Sequence, residues 1–172
     1  MDAPGQASTC EAFLHVQRLM TGAGLHVPRV EAADSGLGFM LLEDLGRVDY
    51  LATLAGGERE RLLDDALAAL IRWQMATRDG VLARFDRARL ADELALFPVW
   101  YVQRHLGLAP EAGWWQRWQA GSEALIDAAM AQPQVWVHRD FMARNLLVSD
   151  PNPGIIDFQD ALLGPVTYDL TS

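Results

Sequence analysis

The 172 residues carry 14 basic and 23 acidic side chains, a formal net charge of −9, and 51% of them are apolar. That much apolar material in a chain of this length suffices for a packed domain and excludes a disordered tail. The negative balance, with no basic cluster, argues against nucleic acid or an anionic membrane as a partner.

All 14 basic residues are arginine, and no lysine occurs. Arg59, Arg61, Arg72, Arg78, Arg84, Arg87 and Arg89 stand mostly beside acids, the pattern of solvated helix faces. Cys10 is the single cysteine, so no intrachain disulfide can form and a reducing, cytoplasmic setting is expected. The first ten residues lack the basic-then-apolar pattern of a secretion signal, and no apolar run approaches the roughly 18 residues that would span a bilayer.

In chain order, a helix is predicted from Ser8, which has Glu11 three residues on in a capping-box pattern. Phe13, Val16 and Met20 lie on one of its faces, and Gly22 and Gly24 stop it. "VPRV" and "GFMLLEDLG" read as two short extended segments, the second a buried strand from Phe39 to Leu42 that leaves the core at Glu43-Asp44. From Glu58 to Arg78, Leu62, Leu63, Ala66, Leu67, Leu70, Ile71 and Trp73 recur at helical spacing, predicting a largely buried helix stopped by Asp79-Gly80. A helix over Arg87 to about Leu106 is interrupted by Pro98, and another over Glu111 to about Ala131 carries Trp114, Trp115 and Trp118. The end is β-rich: "VWV", "NLLV" and "GIID", the last two joined by the turn-forming "SDPNPG".

That last region holds the chemistry. In "VHRDFMARNLLVSDPNPGIIDFQD", a loop at Asp140 feeds a strand starting near Asn145, whose partner ends at Asp157. A hairpin of this kind brings both strand ends to one edge, where the three side chains converge. Phosphoryl transfer from a nucleotide needs such a set: a carboxylate to orient the attacking hydroxyl and accept its proton, and oxygen ligands for magnesium. Asp140 fits the first role and Asn145 and Asp157 the second. His138 and Arg139 are read as orienting the loop by hydrogen bonds. His15, His26 and His105 have no neighbours at metal-ligand spacing.

These motifs resemble those of the kinase-like phosphotransferases, and more closely the aminoglycoside phosphotransferase family. "HRDFMARN" is similar to the kinase catalytic loop, and "IIDFQD" to the metal-binding segment, with Gln159 where protein kinases carry glycine. Met142 stands in place of the protein-kinase lysine that touches the transferred phosphate, and Arg144 could supply that charge. The longer string "HRDFMARNLL…GIIDFQDALLGPVTYDLTS", with "MDAP", "VPRV", "GFMLLEDLG" and "ELALFPVWYVQRHLG", resembles the branch that phosphorylates the anomeric hydroxyl of N-acetylmuramate and N-acetylglucosamine in cell-wall recycling.

The resemblance implies an α/β (α+β) protein-kinase-like fold, using ATP and Mg2+ on a small sugar. Residues 1–42 would be a remnant of the small, nucleotide-covering lobe, and 43–172 an incomplete, mainly helical large lobe; the chain is expected to be truncated at both ends. Glu43, Asp44 and Leu45 would form the hinge that meets adenine, and Asp169 would brace the catalytic loop.

Two alternatives stay open. The acceptor could be an aminoglycoside or another small alcohol. Little or no turnover is expected from residues 1–172 alone, since the phosphate-covering loop is absent from them, and the chain could then be a non-catalytic binding module or an inactive fragment. Trp114, Trp115 and Trp118 are assigned to the core rather than to a sugar-stacking face. For Glu93 and Trp100, a sugar contact and an ordinary helix position stand as equal readings. The oligomeric state is not legible.

Overall fold

The computed structural model describes residues 7–171; the opening "MDAP" segment lies outside them. Helix α1 (Ala7–Gly22) is already under way at Ser8, which therefore sits inside the helix instead of capping it. Cys10, Phe13, Val16 and Met20 fall on its buried face. Gly24 takes φ +74°, and its N–H donates to Thr21 O while that of Leu25 donates to Met20 O, each at 3.0 Å. This is a Schellman closure, in which glycine carries the left-handed turn and a buried apolar residue follows it.

Strands β1 (Val30–Asp34) and β2 (Phe39–Leu42) pair antiparallel, Ala33 opposite Met40. The expectation of a buried β2 is corrected: Met40 is buried, but Phe39 and Leu41 are 47% and 64% exposed. Side chains alternate along a strand, and this two-stranded ribbon packs on the core with one face only. "VPRV" joins the ribbon only at Val30.

Asp49 caps the short α2 (Tyr50–Thr53) by accepting from Ala52 N–H at 2.8 Å. Helix α3 (Arg59–Met75) is shorter than predicted and half-buried rather than largely buried. Leu62, Ala66, Ala69, Leu70 and Trp73 face the core, whereas Leu63, Leu67, Ile71 and Met75 form an opposite ridge between 46% and 80% exposed. The sequence carries two apolar stripes on one helix, and only one of them is buried.

Asp86 caps α4 (Arg87–Leu96), accepting from Arg89 N–H at 3.0 Å. Pro98 does not interrupt the helical path; the chain continues as a π-helix over Phe97–His105. Proline has no N–H to return to the preceding turn and its ring crowds the carbonyl there, and the wider turn relieves both. The i→i−5 bond from Leu106 N–H to Tyr101 O, 2.9 Å, closes it. Helix α5 (Ala112–Met130) lies beside α4, with Arg87 paired to Glu123 at 2.6 Å and Asp127 at 2.5 Å.

The assignment of the α5 tryptophans to the core is also corrected. Ile126 is the buried residue of α5. Trp114 stacks on Trp118 with centroids 5.7 Å apart, and Trp118 on Phe97 at 5.2 Å, so these half-buried rings pack on the π-helix instead. Trp100 is 54% exposed, with Arg104 over its face at 4.1 Å.

Strand β3 (Gln134–Val137) pairs antiparallel with β6 (Leu162–Pro165), and the short strands β4 (Leu146–Leu147) and β5 (Gly154–Ile155) form the expected hairpin. The segments before β1 and after β2 are woven onto that hairpin, as Ile155 N–H donates to His26 O and Val148 N–H to Val48 O, both at 2.8 Å. The main core joins Phe13, Met20 and Met40 to Tyr50, Leu70, Trp73, Trp136 and Phe158. A smaller one holds Phe85, Leu90, Ile126, Val137 and Leu162. Among the described residues no helix is long and apolar enough to cross a membrane.

Candidate active site

β3 delivers the chain to His138, Arg139 and Asp140, and a 3₁₀ turn at Ala143–Asn145 leads directly into β4. The N–H of Met142 donates to Asp140 O, and that of Asn145 to Met142 O, both at 2.8 Å, so the loop doubles back on itself. Asn145 Nδ2 then donates to Asp140 O at 2.9 Å and stands 3.5 Å from Asp157 Oδ2. Asp140, Asn145 and Asp157 therefore meet at one end of the β4–β5 hairpin, as their spacing predicts, although Asn145 sits in the turn rather than in the strand.

A neutral histidine fastens the two sides. His138 is fully buried; its Nε2 lies 3.1 Å from Ile156 O, and Asp140 N–H points at its Nδ1 from 3.3 Å. A carbonyl only accepts, which fixes Nε2 as the protonated nitrogen and leaves Nδ1 as acceptor. Burial pushes its pKa down to about 4, as expected where the charged form would lose its hydration. Asp169, equally buried, accepts the N–H of His138 at 2.7 Å and of Arg139 at 2.9 Å. Its burial raises the pKa to about 6 against the opposing pull of those two donors.

Two non-glycine residues of the site occupy the left-handed backbone region, Arg139 at φ 80° and Asp157 at φ 64°. Aspartate tolerates that region and arginine rarely adopts it, and such strain persists only where surrounding contacts over-determine it. For Asp157 the neighbours are Gln159, whose Nε2 donates to Oδ1 at 2.8 Å, and the buried Phe158. The Asp140 carboxyl is half-buried, and its pKa is raised by desolvation first and by the charge of Asp157 second.

Glu43, Asp44 and Leu45 follow β2. Glu43 N–H donates to Arg29 O at 2.9 Å, and its carboxylate accepts Arg29 N–H at 3.2 Å and Nε–H at 3.1 Å. The Arg29 backbone donor is the first cause that holds the Glu43 carboxyl below its usual range. Asp44 Oδ1 accepts Gly46 N–H at 2.9 Å, and Leu45 lies over the hairpin, its Cδ1 within 3.1 Å of where a Cβ on Gly154 would sit. Arg144 is exposed on the same 3₁₀ turn as Asn145.

The donor set suits a hard cation. Asn145 and Asp157 offer oxygen, and the bond from Nδ2 to Asp140 O turns the Asn145 amide oxygen away from that carbonyl. Among the described residues no group of three or more His, Cys, Asp or Glu side chains could hold a metal ion. Asn145 and Asp157 would be the protein ligands of a magnesium ion held here, and phosphate oxygens and water would complete its coordination.

Sequence reasoning missed one network. Glu93, on α4, accepts from Arg139 Nη2 at 2.5 Å and from Tyr168 OH at 2.7 Å, so it is engaged inside the protein and is not an idle acid on a helix face. No local spacing links residues 46 positions apart.

The phosphotransferase enzyme family model matches residues 1–172. The chain belongs to that family. It is 51% identical over 171 residues to the N-acetylmuramate/N-acetylglucosamine kinase of Pseudomonas aeruginosa, covering 99% of this chain and 51% of the relative. It is 47% identical to the kinase of that name from Pseudomonas putida over 99% of this chain and 50% of the relative. The kinase of that name from Neisseria meningitidis serogroup B is 41% identical, over 100% and 52%. This phosphotransferase-family chain thus spans about half the length of the curated relatives it matches. Among solved structures, ADP-bound aminoglycoside phosphotransferase APH(2'')-Ib superposes with a TM-score of 0.66 at 18% identity, over 95% of this chain and 58% of that one. The gentamicin complex of APH(2'')-IIa gives 0.66 at 16%, over 95% and 58%. The fold is kinase-like, as the motifs imply.

Proposed function

We propose that this chain carries the catalytic loop and metal-binding hairpin of an ATP-dependent sugar kinase that phosphorylates N-acetylmuramate and N-acetylglucosamine at the anomeric hydroxyl, in the cytoplasm, during cell-wall recycling. The observation that carries this reading is the junction at Asn145, whose amide bonds Asp140 O and reaches the Asp157 carboxylate. Identities of 41% to 51% to kinases named for those sugars support the acceptor.

Asp140 holds the acceptor hydroxyl and takes its proton as that oxygen attacks the γ-phosphorus and the bond to the bridging oxygen of ADP breaks. A general base works best when its pKa lies near the working pH, and burial first and the Asp157 charge second raise that of Asp140. Magnesium, when bound by Asn145 and Asp157, neutralises part of the polyphosphate charge. Arg144, exposed on the turn that carries Asn145, supplies positive charge for the phosphates in a chain without lysine. Glu43 to Leu45 present backbone groups to adenine, and the placement of Leu45 over the hairpin supports this. Residues 1–42 belong to the nucleotide-covering lobe and 43–172 to the large lobe; the two share one core through Phe13 and Met40.

Asp140→Asn tests the reading. Turnover of ATP with N-acetylglucosamine should fall by about 10³-fold or more while nucleotide affinity stays within about twofold. A variant retaining full rate removes Asp140 from the role of base. Phosphorus NMR of the product tests the position, since phosphate on any other hydroxyl would sink the anomeric assignment.

A further inference from the structure

The Glu93 contacts reach the reaction centre without touching it. Arg139 immediately precedes Asp140, holds φ 80°, and is fixed from two sides: its backbone N–H by Asp169 at 2.9 Å and its guanidinium by Glu93 at 2.5 Å. The same guanidinium lies over the Phe85 ring at 5.5 Å, and Phe85 meets Tyr168 edge-on at 5.0 Å. Tyr168 returns to Glu93 through its hydroxyl, 2.7 Å from Oε2. Both oxygens of Glu93 are thus engaged within the protein. Its carboxylate ties α4 to Arg139, the residue before Asp140, and to Tyr168, the neighbour of Asp169.

A strained backbone next to a reacting carboxylate is held by its contacts and not by its own preference. A charge-assisted bond is about twice as strong as one between neutral groups. We propose that Glu93 is a positioning residue, holding Arg139 in its left-handed conformation so that Asp140 keeps its orientation at the site. This rests on the reading of Asp140 as the base.

The test compares Glu93→Gln with Glu93→Asp. Glutamine keeps the shape and loses the charge; aspartate keeps the charge on a shorter arm. A packing role predicts that glutamine is the milder change, and the charge clamp predicts the reverse. The first readout is hydrogen–deuterium exchange of residues 138–145 in the 172-residue chain, which needs no activity. Glu93→Gln should speed exchange in this loop by about tenfold or more with the rest of the fold unchanged, and Glu93→Asp by less. The second is steady-state kinetics with magnesium-ATP and N-acetylglucosamine: kcat should fall about tenfold or more in Glu93→Gln while KM for ATP stays within about twofold, with Glu93→Asp retaining more of the rate. Wild-type exchange and rate in Glu93→Gln would overturn the proposal, as would glutamine outperforming aspartate. Should the wild-type chain transfer no phosphate, the inactive-fragment alternative holds for this chain, and the exchange experiment alone decides the role of Glu93.

Discussion

Phe13 on α1 lies against Phe158, ring centroids 4.7 Å apart and planes at 33°. Phe158 follows Asp157, so the first described helix leans on the residue that fixes the backbone of the proposed metal ligand. Both rings are buried. Phe13→Ala should therefore cost about 3–5 kcal/mol in urea denaturation, and Phe13→Leu distinctly less. A change below about 1 kcal/mol for the alanine variant would mean that the two rings do not form a packed junction.

Asp157→Ala should remove the magnesium dependence of nucleotide binding. ATP affinity measured calorimetrically with magnesium should weaken by about tenfold or more, and affinity in chelator should be nearly unchanged. Equal weakening in both conditions would point to a damaged hairpin rather than a lost ligand.

Two buried groups give the stability an unusual pH dependence. His138 is neutral in the fold down to about pH 4, whereas in the unfolded chain it gains a proton below about pH 6.5. Between those values the unfolded state binds more protons, so stability falls as pH falls. Asp169 acts in the opposite sense: it keeps its proton up to about pH 6 in the fold but only to about pH 4 when unfolded, so its contribution falls as pH rises through that window. The two slopes oppose between about pH 4 and pH 6. Asp169→Asn removes the opposing slope of this group, and denaturant stability of the variant should climb with pH in that range more steeply than wild type, by up to about 1.4 kcal/mol per pH unit. Parallel curves for the two proteins would contradict the opposition.

Gly164 of β6 sits where a Cβ would come within 3.0 Å of Val137 Cγ2 and 3.3 Å of the Phe85 ring. Gly164→Ala should cost about 1–3 kcal/mol through overpacking, read as a lower thermal midpoint. An unchanged midpoint would show that β3 and β6 can part at no cost.

The legible part of this molecule is the part written in local spacing. The Asp140, Asn145 and Asp157 set follows from one loop and one hairpin, and α1 follows from a face repeated every three to four residues with glycine at its end. What could not be read depends on partners far along the chain. Leu63, Leu67, Ile71 and Met75 have the same periodic signature as the buried Leu62, Ala66 and Leu70, and apolar spacing does not say which stripe is covered. The same holds for Phe39 and Leu41. Pro98 was read by its usual effect on an α-helix, and the π-helical turn that absorbs it needs the ring stacking of Phe97 on Tyr101 and Trp118, which only the fold brings about. Glu93 pairs with Arg139 across 46 positions, beyond the reach of any motif.

The exposed ridge on α3 governs how this chain behaves as a colloid. At neutral pH the net charge of −9 keeps molecules apart. That repulsion vanishes near the isoelectric point of about 4.7, where leucine, isoleucine and methionine side chains on neighbouring molecules meet unopposed. Turbidity should peak there. At neutral pH, added sulfate should promote clouding, because it screens the charge and strengthens apolar association together, so low-salt buffers well above the isoelectric point keep concentrated samples clear.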